Sequence, residues 1–230
     1  MKNRNIIIVG GDKRQKYLKE YLAQCGFSVD RLLSFLGKEN LVFGGIIKDD
    51  LLSRLRETDI PFVDYYDEAF IEKNAVLTAF GTLKIILEHI DFALPMGNFA
   101  ITGYGRVARE TASLLTSLSC NVTVFARNPS QREDANIKGC KAYPITILSS
   151  LANSFDIIIN TVPSEIITEE TAKNINEKCK VIELASAPYG MDFEIMRKNG
   201  IDVIKAFGLP GKYTPKTAGE IIGNKIINYL

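Results

Sequence analysis

Apolar runs and amphipathic segments alternate along this chain. Nearly continuous apolar runs are typical of strands that helices cover on both faces of a parallel sheet. Segments with helical apolar spacing separate these runs, so the pattern predicts a doubly wound parallel α/β sheet. The predicted strands are residues 99–102, 122–126, 156–163, 181–185 and 201–204. The predicted helices include residues 107–118, 169–175 and 193–199.

The first third of the chain shows the same alternation in shorter elements. Strands are predicted at residues 5–9, 41–45 and 60–64, with helices around Leu18, at 49–58 and at 67–90. Gly81 leaves open a division of the last helix into two pieces. Residues 28–40 give no clear pattern. About three strands make a thin sheet for a free-standing domain, so we expect a second, smaller α/β domain.

A glycine-rich turn joins the first strand of the larger sheet to its helix. Residues 103–108, Gly-Tyr-Gly-Arg-Val-Ala, have the Gly-x-Gly-x-x-Ala spacing of a dinucleotide-binding βαβ unit. Gly103 permits the tight turn, Gly105 lets the backbone approach a pyrophosphate, and Ala108 lets the helix lie close to the strand. The helix N-terminus offers amide donors to the phosphates. A plain structural turn is the alternative, but the flanking strands favour a Rossmann-type cofactor domain. The motif residues predicted to bind cofactor are Gly103, Tyr104, Gly105, Arg106 and Val107.

The end of the next strand predicts which dinucleotide binds. An NAD site places a carboxylate there, which binds the ribose 2′-hydroxyl. This chain has Ala126, Arg127 and Asn128 instead, followed by Arg132. A cation suits a 2′-phosphate, and a carboxylate would repel it. We therefore predict NADP as the cofactor, with a solvated surface arginine as the alternative.

Proline and glycine in residues 92–97 make this stretch the best linker. We predict a reduced N-terminal α/β domain with its linking helix at residues 1–91. This domain would serve the substrate or a partner. An NADP-binding Rossmann domain then covers 92–214, and a C-terminal helix covers 215–230.

The C-terminal helix has an apolar stripe that includes Ile222 and Ile226, although no strand remains for it to cover. We therefore predict that it packs back on the N-terminal domain, beside the helix at 67–90. Residues 208–211, which precede it, are predicted to form a rigid loop.

Composition narrows the function classes. With 28 basic and 27 acidic residues, the charge balance gives no case for nucleic acid or a membrane surface as a partner. The four cysteines lack metal-type or disulfide-type spacing, and a single histidine leaves no metal constellation or acyl-transfer triad. No signal peptide or membrane-length apolar run is visible, so we predict a cytoplasmic protein without a metal.

Polar residues after the strands are candidates for substrate binding. Asp12, Arg14 and Gln15 follow the first strand, where open α/β sheets place their ligands, and Arg14 could bind a carboxylate bidentately. A helix-capping Asp12 with solvated neighbours is the equal alternative. His89 is the only histidine, but a structural role is more common for a histidine beside apolar residues.

Several motifs together resemble the A subunit of dipicolinate synthase. They are Gly10-Gly11-Asp12-x-Arg14-Gln15, Glu88-His89-x-Asp91-Phe92, Gly103-x-Gly105-Arg106, Ala126-Arg127, Asn160-Thr161-x-Pro163-Ser164, Leu184-Ala185-Ser186, Gly208-Leu209-Pro210-Gly211 and Pro215-Lys216-Thr217-Ala218-Gly219. The resemblance covers residues 1–26 and about 67–230. It implies oxidation of dihydrodipicolinate to pyridine-2,6-dicarboxylate with NADP, together with a second, flavoprotein-like subunit during spore formation.

The chain also departs from this family. Members carry a fuller N-terminal domain, which here shrinks at residues 27–40. Because the substrate half is reduced and the cofactor half is intact, NADP binding transfers more safely than the reaction. The alternatives are a non-catalytic NADP-binding subunit or sensor, and an NADP dehydrogenase of another small keto or imino acid.

The reaction that the resemblance implies is a hydride transfer that ends in an aromatic ring. It requires the protein to position the substrate, to bind its carboxylates and to supply one base. Thr161, Val162 and Pro163 follow the strand that usually ends beside the cofactor. Lys212, Lys216 and Arg14 could bind the two carboxylates of the diacid. The catalytic candidates are Ser164, Ser186, Lys216 and His89, and no single base is assigned.

The thin N-terminal sheet also predicts an oligomeric state. Three short strands leave an exposed edge, which a second copy of the chain could cover in a two-fold interface. We expect a homodimer whose interface includes the N-terminal domain. The alternatives are a monomer whose edge is hidden by residues 28–40, and an edge that a different protein partner covers.

Overall fold

The computed structural model describes residues 13–26, 41–45 and 61–229, residues 53 and 56–57, and the backbone of 6–7 and 29–30. Contacts divide the described residues into two units. The larger is Thr78–Leu209, and the smaller combines Met1–Leu77 with Pro210–Leu230. The division falls within a long helix and not at residues 92–97, and the domain limits given by the sequence stay a prediction.

The smaller unit contains two pairs of short parallel strands. β1 (Ile6–Ile7) pairs with β2 (Val29–Asp30), and β3 (Val42–Gly44) pairs with β4 (Phe62–Asp64). The three strands predicted here are present as β1, β3 and β4, whereas β2 was not predicted, because it lies in the stretch 28–40 that shows no clear pattern. A strand of two residues is too short to produce a periodicity signal.

A helix follows the first strand and another follows the fourth strand along the chain. α1 (Lys13–Gln24) follows β1, and α2 (Glu68–His89) follows β4. α2 is continuous across Gly81, and the Thr82 hydroxyl donates a hydrogen bond to the Thr78 carbonyl oxygen at 2.9 Å. Most of the helix predicted at 49–58 lies outside the described residues, although those described there (53, 56 and 57) are helical.

The larger unit is built on six parallel strands, which are β5 (Asn98–Thr102), β6 (Asn121–Phe125), β7 (Lys141–Tyr143), β8 (Ile157–Asn160), β9 (Lys180–Glu183) and β10 (Val203–Lys205). Their order in the sheet is β10-β9-β8-β5-β6-β7. The helices are α3 (Arg106–Ser117), α4 (Pro129–Ile137), α5 (Leu148–Leu151), α6 (Glu169–Asn174) and α7 (Phe193–Lys198). β5 pairs with β6 on one side and with β8 on the other, so the winding direction reverses there. The predicted doubly wound Rossmann-type fold is confirmed.

The central strands are buried because helices cover the sheet on both faces. All four residues of β8 are buried, as its nearly continuous apolar run predicts. β5 and β6 each expose only their first residue. Phe125, Ile158, Leu148 and Met196 belong to one apolar core. Burying this core is the main favourable contribution to the stability of the unit.

The C-terminal helix, α9 (Pro215–Tyr229), belongs to the smaller unit and packs against α1. Ile222 and Ile226 share a core with Leu18, Leu22 and Phe70, the last of which lies on α2.

Two glycines of α9 let α1 and α9 approach closely. A Cβ added at Gly219 would lie 2.8 Å from both the Arg14 carbonyl oxygen and the Leu18 nitrogen. Gly223 lies one turn further along α9, and a Cβ there would come within 2.5 Å of the Tyr21 ring. The close approach of the two helices therefore requires glycine at both positions, since even the methyl group of alanine would overlap α1.

The rigid loop predicted at residues 208–211 was wrong. Its last three residues open a short helix, α8 (Leu209–Tyr213), that precedes α9. Pro210 does not prevent this helix, because proline in a first turn lacks only an amide hydrogen that would have no partner within the helix. Leu209 and Pro210 are buried, which favours the ordered turn.

Candidate functional site

The glycine loop lies between β5 and α3, at the point where the winding of the sheet reverses. Gly103 has a φ of +83°, a left-handed conformation that strains residues with a side chain. A Cβ at this position would lie 2.7 Å from Val162 Cγ2 and 2.8 Å from Thr161 Oγ1. Both the turn and the close approach of the next loop therefore require glycine at position 103.

The N-terminus of α3 opens onto free space. Gly105 is the N-cap, no side chain caps the helix, and a Cβ at Gly105 would meet no atom within 4 Å. Ala108 is completely buried against the sheet. A helix that begins with uncapped amides at a switch point has the geometry that binds a pyrophosphate. The residues present therefore fit a dinucleotide.

The side chains of this loop differ in their exposure. Tyr104 is only 4% exposed. The pKa of the Tyr104 hydroxyl is raised to about 12, mainly by burial and to a smaller extent by the negative charge of Asp134. Arg106 is exposed and Val107 is half-buried. Tyr104 therefore packs within the protein, and the exposed loop surface comes from its neighbours.

In Rossmann-type dinucleotide-binding domains, the residue at the end of the second strand, here β6, contacts the ribose of the cofactor. No carboxylate follows the strand, and Arg127 is exposed. The Asn128 side chain accepts a hydrogen bond from the Ser130 amide at 2.9 Å and so caps α4. Arg132 Nη1 donates to the carbonyl oxygens of Ala126 at 2.8 Å and Arg127 at 2.7 Å. Arg132 thereby fixes the turn that presents Arg127.

The residues after β8 lie directly beside the glycine loop. Thr161 Oγ1 donates a hydrogen bond to the Thr102 carbonyl oxygen at 2.7 Å, one residue before Gly103. Val162 is half-buried and Pro163 is exposed. The structure therefore brings the two predicted cofactor segments together at one edge of the sheet.

A buried carboxylate at the same edge was not predicted from the sequence. Glu183, the last residue of β9, is 0% exposed. Its Oε1 accepts hydrogen bonds from Asn160 Nδ2 at 2.7 Å and from the Ala185 amide at 2.8 Å, and its Oε2 accepts one from the Gly190 amide at 2.9 Å. Burial raises the pKa of this carboxyl, while its three hydrogen bonds act in the opposite direction. One acidic residue inside the apolar run 181–185 was the only signal in the sequence.

The two candidate serines lie on segments that meet. Ser164 follows β8 and Ser186 follows β9, and both are exposed. The amides of Ile166 and Ile167 both donate to the Gly190 carbonyl oxygen, at 2.9 and 3.0 Å. This backbone contact ties the segment after β8 to the segment after β9.

The other catalytic candidates occupy different elements. His89 is the last residue of α2, and its Nδ1 lies 2.8 Å from the Ile85 carbonyl oxygen of the same helix. The exposed Lys216 is in the first turn of α9, in the smaller unit. These two residues do not follow strands of the larger sheet, unlike the serines.

The predicted substrate-binding residues that the structure describes lie in the smaller unit. Arg14 and Gln15 are half-buried in the first turn of α1, and the exposed Lys212 lies in α8. A Cβ at Gly211 would lie 3.0 Å from Arg14 Nε, so α8 and the start of α1 are neighbours. Asp12 lies outside the described residues.

Two absences hold for the described part of the chain. It contains no group of three or more histidine, cysteine, aspartate and glutamate residues that could hold a metal ion. No helix within it is long and apolar enough to cross a membrane.

The reversed winding, the glycine loop and the open helix terminus together define a Rossmann-type dinucleotide-binding domain. Comparison with known proteins agrees: the model of the D-isomer specific 2-hydroxyacid dehydrogenase NAD-binding domain matches residues 92–181. A nicotinamide dinucleotide is therefore the supported class of cofactor, without a choice between NAD and NADP.

The chain is, more particularly, a relative of the A subunit of dipicolinate synthase. It is 32% identical to that protein of Bacillus subtilis over 157 residues, which are 68% of this chain and 53% of the relative. The resemblance predicted from the motifs is confirmed. The aligned part spans about half the length of the relative.

Solved structures show the same fold over nearly the whole chain. The A subunit of dipicolinate synthase from Bacillus halodurans gives a TM-score of 0.87 at 23% identity, covering 98% of this chain and 97% of that one. The corresponding structure from Bacillus subtilis gives a TM-score of 0.85 at 23% identity, covering 100% and 96%. At this identity, the likeness concerns the fold alone.

Proposed function

We propose that this protein is an NADP-dependent oxidoreductase that oxidises dihydrodipicolinate to dipicolinate. The observation that carries the proposal is the uncapped N-terminus of α3 beside Gly105, in a chain related to the A subunit of dipicolinate synthase. The reaction removes a hydride and a proton from the substrate ring. NADP, when bound, accepts the hydride.

The choice of NADP rests on the turn after β6. Arg127 is exposed where an NAD site has a carboxylate, and Arg132 holds the two carbonyl groups that shape the turn. A guanidinium binds a 2′-phosphate through charge-assisted hydrogen bonds, which are stronger than hydrogen bonds between neutral groups. The proposed cofactor contacts are those of Gly103, Tyr104, Gly105, Arg106, Val107, Ala126, Arg127, Asn128, Thr161, Val162 and Pro163.

Binding of a dicarboxylate is proposed for the cations of the smaller unit. Arg14, Lys212 and Lys216 lie on α1, α8 and α9, and the contact of Gly211 with Arg14 makes the first two of these elements neighbours. Gln15 adds an amide in the same turn as Arg14. Ser164, Ser186, Lys216 and His89 are the candidates for accepting the proton.

A cofactor titration tests the choice of dinucleotide. We expect the native protein to bind NADPH more tightly than NADH by about 1–2 kcal/mol, a factor of roughly 5–30. Arg127→Glu should reverse the preference, because a carboxylate accepts the ribose hydroxyl and repels the phosphate. Arg197→Glu is the matched control at an exposed arginine of α7 and should leave the preference unchanged. Equal affinities of the native protein for NADPH and NADH, measured by nicotinamide fluorescence, would contradict the proposal.

A turnover assay tests the reaction. NADP-dependent oxidation of dihydrodipicolinate should be followed as the appearance of NADPH, with and without the second subunit that we propose as a partner in spore formation. Arg14→Ala should raise KM more than it lowers kcat, because it removes a carboxylate contact that is made before hydride transfer. NADPH binding without turnover, even with that partner, would indicate a non-catalytic cofactor-binding subunit or sensor. Turnover of another small keto or imino acid instead would indicate a different dehydrogenase, which the match to a 2-hydroxyacid dehydrogenase domain leaves open.

A further inference from the structure

Three polar residues form a row across the carboxyl edge of the larger sheet. Thr102, Asn160 and Glu183 are the last residues of β5, β8 and β9, and each is paired in register with the next. All three side chains are completely buried. A buried polar group without a hydrogen-bond partner lowers the stability of a protein, so each of these side chains is expected to have partners. The partners show what the row holds in place.

Asn160 uses its whole hydrogen-bonding capacity within the protein. Its Oδ1 accepts from Thr102 Oγ1 at 2.6 Å and from the Val162 amide at 3.1 Å. Its Nδ2 donates to Glu183 Oε1 at 2.7 Å and to the Val162 carbonyl oxygen at 3.1 Å. A backbone amide can only donate, so the bond from Val162 fixes which end of the amide faces Glu183.

Glu183 receives three N–H donors and accepts from all of them. The donors are the Asn160 amide and the backbone amides of Ala185 and Gly190. A carboxylate serves three N–H groups well, whereas a neutral amide in its place would turn its own N–H group towards a donor. The side chain is therefore matched to this role by its charge as well as by its shape.

The row holds three loops that contain candidate site residues. Asn160 binds both backbone groups of Val162, and Thr102 directly precedes Gly103. Glu183 fixes residues 185–190 at both ends, and Gly190 in turn accepts bonds from Ile166 and Ile167. A Cβ at Gly190 would lie 2.1 Å from Asn160 Nδ2, so that loop lies directly on the row.

We propose that Thr102, Asn160 and Glu183 are positioning residues that set the geometry of the loops carrying Ser164 and Ser186 for hydride transfer. The inference rests on the proposed function, although the row touches no reacting atom and acts through the loops. Loss of the carboxylate should therefore lower kcat while the cofactor remains bound at the helix terminus. A misplacement of about 1 Å at a reacting centre is enough to lower a rate by roughly a hundredfold.

Glu183→Gln is the principal test, because it keeps the volume of the side chain. Backbone hydrogen exchange, measured by mass spectrometry at a temperature where the variant is folded by circular dichroism, should be faster in residues 161–167 and 185–190. We expect kcat for dihydrodipicolinate to fall by roughly tenfold to a hundredfold. The dissociation constant for NADPH should rise by a smaller factor than the factor by which kcat falls, because the helix-terminus contacts do not change and only those of residues 161–163 are loosened. Glu194→Gln, at an exposed glutamate paired with Arg197, is the matched control and should match the native protein.

The outcomes separate the inference from the proposed function. Native exchange in both loops together with native kcat in Glu183→Gln would overturn the inference. Equal losses of kcat and NADPH affinity would also overturn it, since they would indicate general disruption. If the native protein does not turn over dihydrodipicolinate, the proposed function fails, and the exchange measurement still decides whether the row holds the loops.

A second variant serves where Glu183→Gln does not fold. Thr102→Val keeps the shape of the side chain and removes only the hydroxyl that donates to Asn160. Faster exchange confined to residues 161–164 is expected, because the carboxylate end of the row remains. Unchanged exchange in this variant would overturn the role of the row.

Discussion

At the scale of single residues, the two glycines of the cofactor loop have opposite surroundings. Gly103 is held at a φ of +83°, and an added Cβ would collide with Val162 and Thr161. Gly105 has a φ of −77°, and an added Cβ would meet no atom within 4 Å. The first glycine is therefore required by the protein itself. The space beside the second is available to a ligand.

Alanine substitutions should separate these two requirements. Gly103→Ala should lower the free energy of unfolding by about 1–3 kcal/mol, because it combines backbone strain with a steric overlap. Gly105→Ala should change it by less than about 0.5 kcal/mol, since the position is open. Gly105→Ala should nevertheless weaken NADPH binding by roughly tenfold, because its methyl group occupies the approach of the pyrophosphate. Urea unfolding and fluorescence titration measure the two effects. Native NADPH affinity in Gly105→Ala would contradict this assignment of the phosphate site.

The same residues show how far the sequence alone can predict the candidate site. The glycine loop has a local spacing, so its place between β5 and α3 was predictable. Glu183 was not, because its partner Asn160 is 23 residues away in the chain and the pair forms only when β8 and β9 align. In the sequence, such a pair is visible only as a polar residue within an apolar run. This pattern predicts that the residue is buried, but it does not predict which residue is its partner.

At the scale of elements, long apolar runs were predictable and short irregular segments were not. β8 is buried on both faces, and its run of isoleucines predicts this directly. β2 has two residues and α8 has five, and elements this short do not repeat the strand or helix period often enough to be recognised in the sequence. α2 continues through Gly81 because local propensity is a weak preference that packing overrides.

The last helix, α9, stabilises the smaller unit by covering α1. Ile222 is only 4% exposed and shares a core with Leu18 and Leu22. Lys225 also pairs with Asp67, and this hydrogen bond lowers the pKa of the Asp67 carboxyl. Because that pair is partly exposed, the apolar contact is the larger contribution to stability.

Removing α9 should therefore destabilise the protein. A chain that ends at Thr214 should melt at a lower temperature than the native chain, because the apolar face of α1 becomes exposed. Ile222→Ala should lower the free energy of unfolding by about 2–5 kcal/mol through the cavity that it leaves. Asn228→Ala, at an exposed position of the same helix, is the control and should have little effect. Melting curves from circular dichroism that coincide for the native and shortened chains would argue against this role of α9.

At the scale of the whole molecule, the candidate groups are distributed over both units. The cofactor loop and the row at the sheet edge belong to Thr78–Leu209, whereas Arg14, Lys212 and Lys216 belong to the other unit. The resemblance to the A subunit of dipicolinate synthase could be predicted from motifs in both. Oligomeric state leaves no such motif, so it must be argued from exposed surface.

The exposed surface of α2 favours association. Val76, Phe80 and Leu87 are 38%, 50% and 54% exposed, and their spacing of four and seven residues places them on one helix face. The stripe begins in the smaller unit, which pairs its strands only in twos among the described residues. Clusters of exposed apolar side chains commonly mark interfaces, and a two-fold interface needs only one self-complementary patch.

We therefore expect a homodimer in which this face of α2 meets its counterpart. Light scattering on a size-exclusion column should give twice the chain mass at micromolar concentration. Phe80→Glu should shift the mass to that of a monomer, because the interface would bury a charge from each copy without a partner. Ile137→Glu is the matched control, since Ile137 is 77% exposed and belongs to a different helix, α4. A monomer mass for the native chain would rule out the dimer. If addition of the proposed second subunit then gave a complex that Phe80→Glu cannot form, the stripe would be the surface for that subunit instead.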